Sequence, residues 1–182
     1  MLGKAVIPDD HPLSIGGLGL LGTDLASDAM SEADTLLMVG TSFPYIDYLP
    51  KPGQAKGIQI DIKPDKIGIR YPVEVGLVSD SKLTLSSLLP LLRQKQSIDF
   101  LKSKKQAMKN WVHSLNEQSR RTDKPIKPQA IAAAVSEELE DDSIVSVDSG
   151  TVTNWAARYI NIRKGMKFSL SGTLASMACG LP

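Results

Sequence analysis

Apolar and β-branched residues run unbroken from Thr35 to Val39, with Asp34 before them and Gly40 after. Such a short run between turn-formers predicts a strand buried on both faces of a parallel sheet. Gly40, Thr41, Ser42 and Pro44 then predict a loop at its carboxyl end. Lys56–Asp61 predicts a second strand, and Pro64 blocks its ladder soon afterwards. Residues 73–80 predict a third, which also ends in an acid, Asp80. Residues 81–94 predict a helix with Leu83, Leu85, Leu88, Leu89, Leu91 and Leu92 on its apolar side and Asp80 or Ser81 as N-cap. Ahead of the first strand, residues 23–32 predict a helix that Thr23 can cap, with Asp24 favourably placed in its first turn. This alternation predicts an α/β protein with a doubly wound parallel sheet.

Residues 97–121 predict a helix of mixed charge, with Trp111 and Leu115 on one face. Its lysines, Lys102, Lys104, Lys105 and Lys109, read as a solvated face rather than a basic interaction surface. Pro125 and Pro128, amid polar residues, then mark a boundary that divides the chain into 1–122 and 123–182. Beyond it the pattern restarts: a helix over 129–139, a strand over 142–148, a helix over 152–160, a strand over 166–170, and small residues from Ser171 leading into another helix. Three strands are few for such a sheet and no strand opens the chain, so the first domain reads as incomplete at its N-terminus. The second reads as interrupted at Pro182.

Composition narrows the chemistry. The 182 residues carry a net charge of +1, which gives no reason to expect nucleic acid as a partner. Two histidines, His11 and His113, are too few and too far apart for a metal site. A single cysteine, Cys179, excludes an intrachain disulfide and reads as a small apolar residue. No apolar run approaches the ~20 residues of a membrane span, and no signal peptide is visible, so a cytoplasmic location is expected.

Ligands of open α/β sheets sit beyond the carboxyl ends of the strands. The candidate site therefore falls on Gly40 to Ile46, on Asp61 and on Asp80. Asp61 suits a ribose hydroxyl or a cap for the turn that follows, and spacing alone leaves both open. Gly16, Gly17, Gly19 and Gly22 lead into a helix start, one way to present free N–H groups to an anion. Asp148-Ser-Gly-Thr151, between a strand and a helix, reads either as a phosphate turn or as an ordinary capped βα turn. The small residues from Ser171 to Gly180 suit either close approach to a planar ligand or tight helix packing.

An ordered series of motifs resembles the thiamine-diphosphate enzymes that act on 2-keto acids, most closely the FAD-containing pyruvate oxidase or pyruvate:quinone dehydrogenase branch. The series is Gly3-Lys4, Pro8-Asp-Asp-His-Pro12, Gly19-Leu-Leu-Gly22, Ala33-Asp-Thr-Leu36, Gly40-Thr-Ser-Phe-Pro-Tyr45, Ile58-Gln-Ile-Asp-Ile-Lys-Pro64, Ile67-Gly68, Leu77-Val-Ser-Asp80, Asp148-Ser-Gly-Thr151, Trp155-Ala-Ala-Arg158 and Ser171-Gly-Thr-Leu-Ala-Ser-Met-Ala178. The resemblance implies a Rossmann-like central domain over 1–122 and the start of an α/β thiamine-diphosphate domain over 123–182. It implies FAD contacts at Gly19, Leu20, Leu21, Gly22, Ser42, Phe43, Pro44, Tyr45, Ile46, Asp61, Ile62 and Asp80. It implies thiamine-diphosphate contacts at Thr151, Ala175, Ser176, Met177 and Ala178, with Met177 as the wedge that bends the cofactor and the Ala175 carbonyl as acceptor for its amine. The implied reaction is decarboxylation of pyruvate or a similar 2-keto acid, with electrons passing to FAD.

By the same resemblance the Mg²⁺ ligands and the activating glutamate lie outside this chain, so the chain alone is expected to be inactive. The full-length form is expected to be a homo-oligomer, and any quinone or membrane contact to lie in other regions. Two alternatives stand beside this one. The first is an acetolactate synthase-like carboligase or a decarboxylase, with structural FAD or none. The second is a nucleotide-binding module without chemistry.

Overall fold

The computed structural model describes residues 3–172 and 174–178. They form two compact units, one of residues 26–98 and the other of residues 3–25 together with 99–178. Both are α/β with parallel sheets.

The helix α1 (Asp24–Glu32) runs from the end of one unit into the other. In residues 26–98 the strands β1 (Thr35–Val39), β2 (Lys56–Asp61) and β3 (Val75–Val78) pair in sequence order, all parallel. The β1 to β2 and β2 to β3 connections contain no helix longer than one 3-10 turn each, Ile46–Tyr48 and Pro64–Lys66. Pro64 opens the second of these turns, where its missing N–H costs nothing. α2 (Ser81–Leu88) follows β3, with Asp80 as N-cap: its Oδ1 accepts the Leu83 N–H at 2.9 Å. Pro90 converts the end of the expected longer helix to a 3-10 turn, Leu89–Leu91.

One face of this sheet holds a core. Leu36, Met38, Ala55 and Tyr71 are buried together, with Met30, Leu49 and Val73 against them. The Tyr71 hydroxyl donates toward the carbonyls of Lys51 and Ala55 and accepts the Ala55 N–H. The other face departs from the expectation of strands buried on both sides. Leu37, Val75 and Leu77 are exposed, as are Leu83, Leu85, Leu89, Leu91 and Leu92 beyond β3. Apolar composition predicts which residues seek cover; it does not supply the cover.

In the other unit, α3 (Asp99–Ser119), α4 (Pro128–Glu138), β4 (Ile144–Val147), α5 (Thr151–Tyr159) and β5 (Lys167–Leu170) follow in order. β4 and β5 pair in parallel across the α5 crossover. Val147, Ala156, Ile160, Ile162 and Met166 form the core. Ser136 is buried and its Oγ accepts the Asn161 N–H at 2.9 Å. Pro128 sits at the first turn of α4, a position that suits its fixed φ. α3 joins this unit: Tyr159 donates its hydroxyl to Gln118 Oε1 at 3.0 Å, and Arg158 lies over the Trp111 ring. Residues 174–178 form turns and bends. The continuation of the helix expected after Ser171, with Cys179 and Gly180, lies outside the described residues, as does Thr173.

Candidate functional site

The parallel register brings the carboxyl ends of β1, β2 and β3 to one edge of their sheet. Val39 pairs with Ile60, and Asp61 with Val78. The loops leaving that edge carry Ser42 to Ile46, then Asp61 and Ile62, then Asp80. Gly40, at φ 56°, turns the chain off β1 while its N–H still donates to the Ile60 carbonyl at 2.9 Å. The Phe43 N–H then folds back to Thr41 Oγ1 at 3.2 Å, and the Phe43 and Tyr45 rings meet edge to face at 5.6 Å. Ser42, Pro44, Tyr45 and Ile46 are exposed.

Asp61 is buried at 8% exposure, and its Oδ1 accepts the Lys63 N–H at 2.9 Å. That bond is the turn cap that spacing had left as one of two options. A carboxylate has two oxygens, so this cap does not consume the group's capacity to accept a ribose hydroxyl. Ile62 beside it is exposed. Asp80 spends one oxygen on α2.

The glycine-rich loop belongs to the other unit. Its compaction is internal: Gly22 donates to the Gly19 carbonyl at 2.7 Å and Thr23 to the Gly17 carbonyl at 2.9 Å. The Thr23 hydroxyl donates to the Ile15 carbonyl at 2.8 Å. Those two N–H groups, the simplest candidates for an anion cradle at the helix start, are therefore engaged within the loop. Leu20 projects from it, 74% exposed.

A second strand-end cluster forms in the same unit at β4 and β5. Gly150, at φ 129°, precedes α5, and a Cβ there would have nothing within 4 Å. Thr151, the first residue of α5, is exposed. Thr153 Oγ1 donates to the Asp148 carbonyl at 2.9 Å and tightens the turn. Across the gap, Ser149 Oγ donates to the Ser171 carbonyl at 2.8 Å, and the Ala178 N–H donates to Asp148 Oδ2 at 2.8 Å. The Ser176 N–H donates to Ser171 Oγ at 3.1 Å. Thr151 and the segment Ala175, Ser176, Met177 and Ala178 are thus carried on two stretches tied together. Ala175 and Ala178 adopt left-handed φ values of 51° and 59°, and Met177 stands 79% exposed. A glycine-led helix start, tied through Ser149 and Asp148 to a turn that carries an exposed thioether, suits an anionic group joined to a flat heteroaromatic ring.

Among the described residues no three His, Cys, Asp or Glu side chains are grouped to hold a metal ion, and no helix is long and apolar enough to cross a membrane. A cavity between α3 and α4, lined by Asn116, Arg120 and Glu137 among others, contains none of the expected cofactor residues. One residue escaped the sequence reading: Gln59, polar but only 3% exposed on a central strand. Its signal was present, a lone amide side chain in the otherwise apolar middle of β2.

Residues 1–88 match the family model described as thiamine pyrophosphate enzyme, central domain. The chain is 45% identical over 179 residues to a putative thiamine pyrophosphate-containing protein, YdaP, of Bacillus subtilis, covering 98% of this chain and 31% of that protein. It is 30% identical to a probable acetolactate synthase large subunit of Methanococcus aeolicus, covering all of this chain and 33% of the relative. It is 25% identical to pyruvate oxidase of Lactiplantibacillus plantarum, over 98% of this chain and 30% of the relative. The chain spans about a third of the length of these relatives.

Proposed function

We propose, from the match of residues 1–88 to the thiamine pyrophosphate enzyme central-domain model, that this chain is the FAD- and thiamine-diphosphate-binding portion of an enzyme that oxidatively decarboxylates pyruvate or a similar 2-keto acid. The observation that carries this reading is the pairing of the two strand-end clusters with two different ligand chemistries. The ends of β1 to β3 offer aromatic rings, exposed backbone and the Asp61 carboxylate. The ends of β4 and β5 offer a glycine-led helix start and Met177. In this reading FAD is held by Gly19 to Gly22, Ser42 to Ile46, Asp61, Ile62 and Asp80. Thiamine diphosphate is held by Thr151 and by Ala175 to Ala178, with Mg²⁺ ligands supplied from outside the chain. The division at about residue 122 and a homo-oligomeric, cytoplasmic full-length enzyme belong to the same proposal.

The thiamine cofactor supplies an electron sink for decarboxylation, and the flavin accepts the electrons. The chain's part is orientation. Thr151 and the neighbouring amides meet negative oxygens at the start of α5. Met177 packs against the flat heteroaromatic rings. Asp61 fixes a sugar edge by accepting its hydroxyl proton in a hydrogen bond.

The carboligase reading is kept because of the 30% identity to an acetolactate synthase. Phe43-Pro-Tyr45 at the β1 end resembles pyruvate oxidases more than acetolactate synthases, which resemble Gly-Ala-Arg-Phe-Asp there, and so favours the oxidase. Full-length protein loaded with both cofactors and Mg²⁺ separates them without air. Pyruvate should bleach the visible flavin absorbance of an oxidase within turnover. An unbleached flavin with acetolactate accumulating overturns the oxidase reading in favour of the carboligase. Protein that takes up neither cofactor overturns both.

A further inference from the structure

Two buried side chains hold the connection between β2 and β3: Tyr71 anchors its return to Lys51 and Ala55, and Gln59 holds the 66–68 bend nearer β2. Gln59 is 3% exposed and pairs in register with Met38 and Gly76, so it shares their face of the sheet. Asp61, two residues on, points to the same face. Over that face the chain returns through the 3-10 turn Pro64–Lys66. There the Gln59 amide is used at both ends: Nε2 donates to the Lys66 carbonyl at 3.0 Å, and Oε1 accepts the Gly68 N–H at 2.9 Å. Gly68, at φ 76°, makes the bend that aims this N–H inward. Ile67, between the two tethered residues, seats over Gly76, where a Cβ would come within 2.5 Å of Ile67 Cγ2.

Two neutral hydrogen bonds from one buried amide fix both the height and the rotation of the turn. Without them the amide's partners would be stranded under the loop. The near side of the same loop is Asp61-Ile62-Lys63, bound to itself through the Asp61 to Lys63 bond. Moving the 66–68 side away from β2 breaks the two tethers.

We infer that Gln59 is a positioning residue for the Asp61 and Ile62 part of the FAD site, which it controls by clamping the 62–68 loop without touching the ligand. The inference rests on the functional reading above. It predicts that removing the clamp loosens FAD selectively, because the thiamine-diphosphate residues lie in the other unit, at the start of α5 and in the 174–178 turns.

The test uses full-length protein and two readouts, the dissociation constant for FAD and that for thiamine diphosphate. Gln59→Met keeps the side-chain length and removes both bonds; Gln59→Glu keeps an acceptor for the Gly68 N–H and loses the donor. Tyr71→Phe loosens the return of the same connection, beyond the 62–68 segment, and serves as a destabilised control for the clamp itself. Losing pre-organisation on the scale of one net hydrogen bond should weaken FAD binding about tenfold in Gln59→Met. Gln59→Glu should fall between it and wild type, and Tyr71→Phe should bind FAD like wild type. Thiamine-diphosphate binding should be unchanged in all three. Faster amide exchange at Gly68 in Gln59→Met, with β1 still protected, locates the effect in the loop. If Gln59→Met does not fold, Gln59→Glu decides alone. Unchanged FAD affinity in the folded Gln59 variants overturns the inference and leaves the functional reading standing. So does an equal loss in Tyr71→Phe. Wild-type protein that takes up no FAD removes both.

Discussion

At Gly22 the backbone leaves no room for a side chain: a Cβ would lie 2.2 Å from the Gly17 carbonyl oxygen. That obstacle is main chain, so the loop must open before alanine fits. Gly40 is a different case. Its φ of 56° is left-handed, but the nearest atom to a Cβ is Ser81 Oγ at 3.8 Å. Gly40→Ala should therefore cost only the left-handed penalty, about 1–2 kcal/mol. Gly22→Ala should cost an overpacking penalty of up to about 3 kcal/mol and dislodge the Thr23 to Gly17 bond. Urea titration of the two variants checks the order, and equal midpoints would mean that the loop opens for no more than the left-handed penalty at Gly40. The sequence made glycines visible as places of close approach. It could not say that the approaching group was the chain itself. Asp61 teaches the same point, since a turn cap and a ligand contact need the same residue at the same offset.

Local pattern was most informative for elements whose limits are set by residues next to them. β1 starts and ends where the apolar run does, because Asp34 and Gly40 bound it on both sides. α4 begins at Pro128, and α2 at Ser81 behind its Asp80 cap, for reasons written in those residues. Pro90 was equally legible as a breaker, yet the leucines around it suggested that the helix runs on. Burial was less legible, because it depends on what lies opposite. Tyr159 illustrates this at the end of α5. Burial raises its phenol pKa above the usual value, and the Arg158 charge opposes the shift. The sign follows from the neutral form being favoured in the folded state. The stability from this hydroxyl is fully present below about pH 10, where the unfolded phenol titrates, and is lost as pH rises beyond it. Tyr159→Phe, which also deletes the bond to Gln118, should cost about 1 kcal/mol at neutral pH. The variant should then lose less stability than wild type between neutral and strongly alkaline pH. Thermal melts across that range test it, and parallel curves would sink the assignment.

Nothing local announces which distant segments meet. Residues 3–25 fold with the segment after α3, and the tie is made by two residues from the opening motif, Lys4 and Asp9. Lys4 Nζ donates to Asp9 Oδ2 at 2.6 Å and to the Ala157 carbonyl at 3.4 Å. Asp9 engages Ile162 by both of its polar ends: its N–H donates to the Ile162 carbonyl, and its Oδ2 accepts the Ile162 N–H, each at 2.8 Å. Ala5 packs against the Val147, Ile160 and Ile162 core between these bonds. A separation of 153 residues erases any periodic signal, so Pro8-Asp-Asp-His-Pro12 was recognisable as a motif without a reason. The structure supplies the reason, a carboxylate that takes the place of a strand partner at the end of α5. The Lys4 side chain is only 10% exposed, so salt should screen this pair weakly. Asp9→Ala loses the charge-assisted bonds and leaves Lys4 with the longer Ala157 contact, a cost of about 2–3 kcal/mol. Asp9→Asn keeps an acceptor for the Ile162 N–H and should recover part of it. Amide exchange should speed up at Ile160 and Ile162 in Asp9→Ala, while Ile60, in the core of the separate 26–98 unit, keeps its protection. Uniform loss of protection across both units would show that the motif stabilises the chain by some route other than this tie.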